Sequence, residues 1–307
     1  MLQLKLFNHF LTEESILPFR ASGLAGVISS AKLAAMGEEC EYLMTEILAF
    51  SARHMAHTRP EQRDLYVEQS ALFHARAISL FSTTQVDLES TRVLNIVFFS
   101  WLVGTQLLSS MALENLQETS MLSRFLQFAD VYRGVRTMTT AAWHRLGESE
   151  DRKILGDFLS QGMASLTRQG RGEQTSRVRS LINDSLGLSE QAKSSHVRAL
   201  DLIQSVIDVK LDGTTPELGQ DNCLHMCFVW PLVVDRDIFD LAKQHRPEPL
   251  LVLAFFAVML HWCEELWIFG HTGRLLLECI STSIGLGWEQ WLQWPMSIVE
   301  SCISTPM

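Results

Sequence analysis

The chain has no closely spaced set of cysteines. Its six, Cys40, Cys223, Cys227, Cys263, Cys279 and Cys302, are scattered over 307 residues, which excludes a dense disulfide scaffold and any compact module of four or six thiolate ligands. Positive charge is also scarce: 25 Lys and Arg face 35 Asp and Glu, and a net charge of −10 repels phosphate, so autonomous binding to nucleic acid is not expected. Leu2 to Phe10 is interrupted by Gln3, Lys5 and His9, so it is not expected to serve as a secretory leader. The expected location is therefore intracellular, nucleus or cytoplasm, where the thiols stay reduced and pack as small hydrophobes.

Catalytic templates are absent as well. There is no G-x-S-x-G elbow and no phosphate-cradling P-loop, and Gly285-Leu286-Gly287 runs on into Trp288-Glu289-Gln290 rather than completing a dinucleotide motif. The aspartate-rich magnesium motif of all-α terpene synthases is missing, and Asn183-Asp184 lacks the downstream serine and glutamate. No cofactor is expected. Nor is there a repeat of fixed period, or any sustained strand-like alternation beyond one short candidate, Val206 to Leu211.

What is present is helical spacing of apolar residues: Leu43, Ile47 and Phe50; Leu94, Val97, Phe98 and Trp101; Leu200, Ile203 and Ile207. With 47% apolar residues the chain can bury a sizeable core, and the expected architecture is all-α, one multi-helix domain over residues 1–307. Two polar stretches, 147–153 and 168–176, hold no large apolar residue and read as exposed loops, the second a mobile one.

The last third carries most of the information. Leu250 to Trp262 is almost wholly apolar, and six of the eight tryptophans follow residue 229: Trp230, Trp262, Trp267, Trp288, Trp291 and Trp294. Thirteen helical residues reach about 20 Å, against a hydrocarbon core of about 30 Å, so this is a buried central helix and not a membrane span. A helix apolar on every side must be surrounded by others. Pro249 suits its first turn and Pro247 closes the helix before it, so the element is expected from Pro249 to Trp267. Asp235 reads as the N-cap of an amphipathic helix, and Gly285 and Gly287 as the stop of the helix that Arg274 begins.

The run Trp230-Pro231, Asp235, Arg246-Pro247, the apolar helix ending in His261, Leu266-Trp267, Gly270, Gly273-Arg274-Leu275-Leu276 and the tail Trp288, Trp291, Trp294-Pro295 resembles the C-terminal signature of the fungal zinc-cluster transcription factors, in the branch similar to the yeast sterol-uptake-control regulators. Ala49 to Ala56 with Tyr66, Ala71, His74, Ala77 and Phe81 resembles that family's alanine-and-aromatic helical hairpin, and Phe128-Ala129-Asp130 through Arg133-Gly134-Val135 its midpoint motif. His271-Thr272 stands where the family usually has aromatics. The family reads DNA through a six-cysteine binuclear zinc cluster, which this chain lacks; Leu4 to Phe10 resembles the first helix of the regulatory domain. The resemblance implies a regulatory, ligand-sensing domain without autonomous DNA binding. Its expected partners are a sterol- or terpenoid-like lipophilic molecule and either a DNA-binding partner protein or a second copy of the chain. The alternative is an enzyme on the same scaffold, a cofactor-free cyclase or isomerase of secondary metabolism that holds an intermediate in a reactive conformer.

The residues expected to line the apolar site are Phe98, Trp101, Trp230, Phe255, Met259, His261, Trp262 and Glu265. His261 and Glu265 stand one helical turn apart, where they would satisfy each other or orient a ligand's polar head, and in the enzyme reading they would be the catalytic pair. Cys223, His225 and Cys227 form a C-x-H-x-C cluster. On a helix, however, His225 points about 200° away from Cys223, no second ligand pair lies nearby in sequence, and metal is not expected there. His54 and His57 would meet His74 across a helical hairpin, again as hydrogen-bonded histidines rather than as ligands.

Overall fold

A computed structural model describes residues 1–18, 29–84, 93–113, 118–143, 152–153, 156, 170–213 and 216–301. Every regular element among them is helical, so the protein is all-α. Among the described residues the α-helices are α1 (Leu2–Thr12), α2 (Ser30–Glu38), α3 (Glu41–Thr58), α4 (Arg63–Thr83), α5 (Val93–Leu113), α6 (Glu118–Trp143), α7 (Ser176–Asp184), α8 (Glu190–Asp212), α9 (Pro216–Val233), α10 (Arg236–Lys243), α11 (Pro247–His261), α12 (Thr272–Ile284) and α13 (Glu289–Ser301). Val206 to Leu211, the one strand candidate, is the last part of α8: Ser189 caps that helix by accepting the Ala192 amide, and 23 residues follow without interruption until Gly213 adopts φ 64°. The chain divides into two compact units. One comprises Met1–Leu113 and Val131–Gln161, the other Glu114–Asp130 and Gly162–Met307.

The first unit is built on the hairpin of α3 and α4. A 3-10 turn at Pro60–Gln62 with proline in its first position connects them. The small residues on α3 let its neighbours approach closely enough for side chains to reach backbone. Ser51 Oγ donates to the Leu6 carbonyl of α1 at 2.6 Å, and Ser70 Oγ of α4 donates to the Ala49 carbonyl at 2.9 Å. Tyr42, Phe81 and Phe99 make a three-ring cluster with centroids 4.8–5.2 Å apart. Helix α5 is long and apolar enough to cross a membrane by length and composition, but 83% of its most apolar stretch is buried. It also carries buried Asn95, Thr105, Gln106 and Ser109, and Gln106 Nε2 donates to Ser70 Oγ. Gly104 is required by close packing, since a Cβ there would lie 2.4 Å from Tyr132 Cδ2.

In the second unit α11 is the axis. All of Glu248–His261 is buried, and α7, α8, α9, α10, α12 and α13 pack around it. The helix begins at Pro247, two residues before the expected Pro249. Arg246 is extended at φ −67°, ψ 135°, as a residue before proline must be, and Pro247 then takes the first helical position. Glu248 in the first turn accepts from Ser185 Oγ at 2.7 Å and from Arg246 Nη2 at 3.0 Å, placing negative charge at the positive end of the helix dipole. The helix stops at His261 rather than Trp267. Gly273 lets α12 come against that end, because a Cβ there would sit 2.4 Å from the His261 amide and 2.5 Å from the Ala257 carbonyl oxygen. Gly285, at φ 81°, ends α12 as its position in the sequence suggests.

Of the two polar stretches, 147–151 lies outside the described residues. The described part of the second, 170–175, is non-helical with Arg171 and Glu173 exposed, but it is tied down. Asp208 accepts from the Arg171 amide at 2.6 Å and the Gly172 amide at 3.1 Å, and Gln204 Oε1 accepts from the Thr175 amide and hydroxyl at 3.0 and 2.9 Å.

Candidate functional site

The eight residues expected to line one site fall in two units. Phe98 and Trp101 belong to the first, both buried, with Trp101 6.4 Å from Phe50. Trp230, Phe255, Met259, His261, Trp262 and Glu265 belong to the second. Trp230 is a core residue: wholly buried, stacked on Phe256 at 4.5 Å, edge-on to Phe239 at 6.0 Å, with its indole N–H donating to the Ala199 carbonyl at 3.0 Å. That combination of full burial and a satisfied polar handle leaves it no free face.

The tryptophans that keep an open side lie just past the end of α11 and at α13, while Phe255 of α11 is buried. Phe255 stacks on Trp294 of α13 at 5.4 Å and 9°, and Trp262 meets Trp294 edge-on at 6.3 Å and 84°. Trp262, Trp288, Trp291 and Trp294 are all half-buried, and Trp288 and Trp291 lie 5.1 Å apart at the start of α13. Half-buried indoles of this kind present an apolar body together with a polar N–H.

Beside them sits a polar pair that differs from the expected one. His261 Nδ1 lies 3.0 Å from Glu264 Oε2, while Glu265 is exposed. The reason is local. After His261 the chain tightens into three-residue turns: Cys263 N–H donates to Leu260 O, Glu264 N–H to His261 O and Leu266 N–H to Cys263 O. Spacing by three brings residue 264 back over His261, whereas a continued α-helix would have brought 265. His261 is 4% exposed, and neither its two ring nitrogens nor the buried Thr272 Oγ1 has a hydrogen-bond partner among the described residues, the Glu264 contact being close but not aligned as a hydrogen bond. Buried polar atoms are ordinarily paired, so these two are the groups at this end of α11 with unused hydrogen-bonding capacity.

The histidines of the first unit do other work. His74 faces Glu46 across the hairpin, Nδ1 3.0 Å from both carboxylate oxygens, instead of meeting His54 and His57. Burial raises the Glu46 pKa. Burial also opposes charge on His74, but the hydrogen bond and charge of Glu46 outweigh it and the His74 pKa is raised. His54 turns towards α1, its Nδ1 2.9 Å from His9 Nε2 and its Nε2 3.2 Å from Ser15 Oγ. The serine–histidine–histidine line resembles a nucleophile relay only in its distances. Ser15 gives its proton to Glu13 Oε1 at 2.7 Å, so His54 Nε2 must donate to the serine rather than take a proton from it. Burial, and His9 after it, push His54 down to about 3, too low for a general base near neutrality.

Three sulfurs also converge in the second unit. Cys223, Cys227 and Cys263 are buried with their Sγ atoms all within 4.8 Å of one another, and His225 is not among them. Glu264, Trp294 and Cys263 are thus the residues that sequence reasoning did not place. The tryptophan density pointed to Trp294, whereas Glu264 depends on where α11 stops and Cys263 on how its end meets α9. No family model, curated protein or solved structure matches the chain.

Proposed function

We propose that the chain is a regulatory domain that binds a lipophilic small molecule, sterol- or terpenoid-like, at the C-terminal end of α11. One observation carries this reading: the half-buried, edge-packed Trp262 and Trp294 stand next to His261, whose Nε2 is buried and without a hydrogen-bond partner among the described residues. An apolar surface with a few convergent polar groups is what ligand sites are made of. The indoles would take the apolar body, and His261, with Glu264 close by, would take a hydroxyl or carbonyl. Net charge of −10 supports a domain that acts through a protein partner, a DNA-binding protein or a second copy of itself, rather than by touching DNA.

The test is a panel of sterols and terpenoids added to the full chain while tryptophan fluorescence and melting temperature are followed. A ligand that binds the native state stabilises it by about 2.7 kcal/mol at a hundredfold excess over Kd. Trp294→Ala and His261→Ala should each remove that stabilisation. Recovery of the ligand chemically unchanged supports a sensor; a rearranged product would replace this reading with the cyclase or isomerase alternative. No quenching and no stabilisation by any member of the panel would overturn it.

A further inference from the structure

Cys223 and Cys227 lie one turn apart on one face of α9, and Cys263 stands two residues beyond the end of α11. Their surroundings are sparsely charged. The Cys223 thiol donates to the Met259 carbonyl at 3.2 Å. Gln220 Nε2 reaches the Trp262 carbonyl at 3.0 Å and Cys263 Sγ at 3.8 Å, and Lys210 Nζ donates to Gln220 Oε1 at 2.6 Å. The nearest cation in this chain of contacts, Lys210, is therefore one side chain removed from the sulfurs. Burial pushes the Cys223 and Cys227 thiols up.

Among the described residues no histidine, carboxylate or fourth sulfur joins the three. Structural zinc takes four ligands, so three sulfurs enclosed by protein favour a centre content with three. Charge narrows the choice. Three thiolates round zinc leave one negative charge and round monovalent copper two, and an uncompensated charge in a buried site is costly. Round a trivalent centre they leave none. With bonds of about 2.3 Å, as for zinc and sulfur, sulfurs round a pyramidal three-coordinate centre stand about 3.5 Å apart, so the trio, now within 4.8 Å, has to contract by no more than about 1.3 Å.

We propose that Cys223, Cys227 and Cys263 form a three-sulfur site for a trivalent thiophilic metalloid, of which arsenic(III) is the accessible probe. Arsenous acid and three thiols give the trithiolate and three waters. Each hydroxide leaves with one thiol proton, three As–O and three S–H bonds break, three As–S bonds form, and nothing is oxidised or reduced. The site stands independently of the lipophilic-ligand reading. It shares the end of α11 with it, however, since Gln220 touches both Cys263 and the Trp262 carbonyl, so an occupied trio would draw on the same turn that carries Trp262.

The experiment adds arsenite to the reduced full chain, counts bound arsenic by native mass spectrometry, and reads its coordination by arsenic K-edge absorption. One arsenic per chain bonded to three sulfurs is expected. Cys223→Ser, Cys227→Ser and Cys263→Ser should each weaken binding by about tenfold or more, and Cys40→Ser and Cys279→Ser should leave it unchanged. The wild-type absorption spectrum decides the coordination number even if a trio variant fails to fold. No retained arsenic, fewer than three As–S bonds, unchanged binding in a folded Cys263→Ser chain, or stoichiometric zinc or copper(I) that arsenite does not displace would each overturn the assignment.

Discussion

The two units distribute their buried polar groups differently under the same all-α architecture. The interior of the first holds Glu46, Arg53, His54, Ser51, Ser70, Asn95, Thr105 and Gln106, and its helices are tied by side chains reaching backbone and by the Glu46–His74 pair. The second is organised round α11, where thirteen consecutive residues from Pro249 to His261 are buried and only the last is polar; buried polar groups such as His196, Gln204, Asn222 and His225 lie on α8 and α9 around that axis. Along α11 stability depends on shape; where polar side chains are buried, it depends on matching each of them. An unmatched polar atom costs about 1–3 kcal/mol, and a lost ring in a close-packed core costs more.

The largest effect should come from breaking shape. Phe256→Ala removes a ring stacked between Trp230 and Phe125, at 4.5 and 5.5 Å, and should cost about 3–5 kcal/mol through the cavity it leaves. Urea midpoints measure it, and an unchanged midpoint would show that α11 is not the axis of its unit. Gly273→Ala should follow at about 1–3 kcal/mol. The added Cβ would meet the backbone of His261 and Ala257, which cannot rotate aside. If α12 instead shifts outward, the tryptophan emission from Trp262 and Trp294 should change with it.

The smallest effect per step sharpens the polar half of the contrast. His54 is held at about 3, against 6.5 in the unfolded chain. Below pH 6.5 the unfolded chain therefore takes a proton that the folded chain refuses. Its contribution is complete above pH 6.5 and falls away as pH drops towards about 3, by about 1.4 kcal/mol per pH unit. His74 and Glu46, both raised, act in the opposite sense: they bind protons more tightly when folded, and what they add is lost as pH rises. His54→Asn should flatten the acid limb of a stability-against-pH curve, and a limb as steep as wild type would show that another group sets it.

The sequence readings that succeeded concern periodicity. The all-α class, the encircled apolar helix and the stop at Gly285 all follow from patterns confined to one segment. Those that failed concern where one segment meets another. A β-branched stretch at Val206 to Leu211 looked strand-like only when cut from the capped 23-residue helix that contains it. His74 found Glu46 rather than His54 because helix rotation in the α3–α4 hairpin, invisible in spacing, chooses the facing residues. Trp230 was placed in a site and lies in the core, since its stacking partners Phe239 and Phe256 come from two other helices.

What the sequence alone determined is which residues are helical and which helix has no polar side, because backbone hydrogen bonding and the 3.6-residue repeat act within a few residues of each position. Only the tertiary structure decided the chemistry at the end of α11. The three-residue turns there select Glu264 over Glu265, and the packing of α9 against α11 sets Cys263 beside Cys223 and Cys227, 36 or more residues away in the chain. A side chain's partners depend on which helix faces meet, and the faces that meet are settled by burying α11 on every side at once.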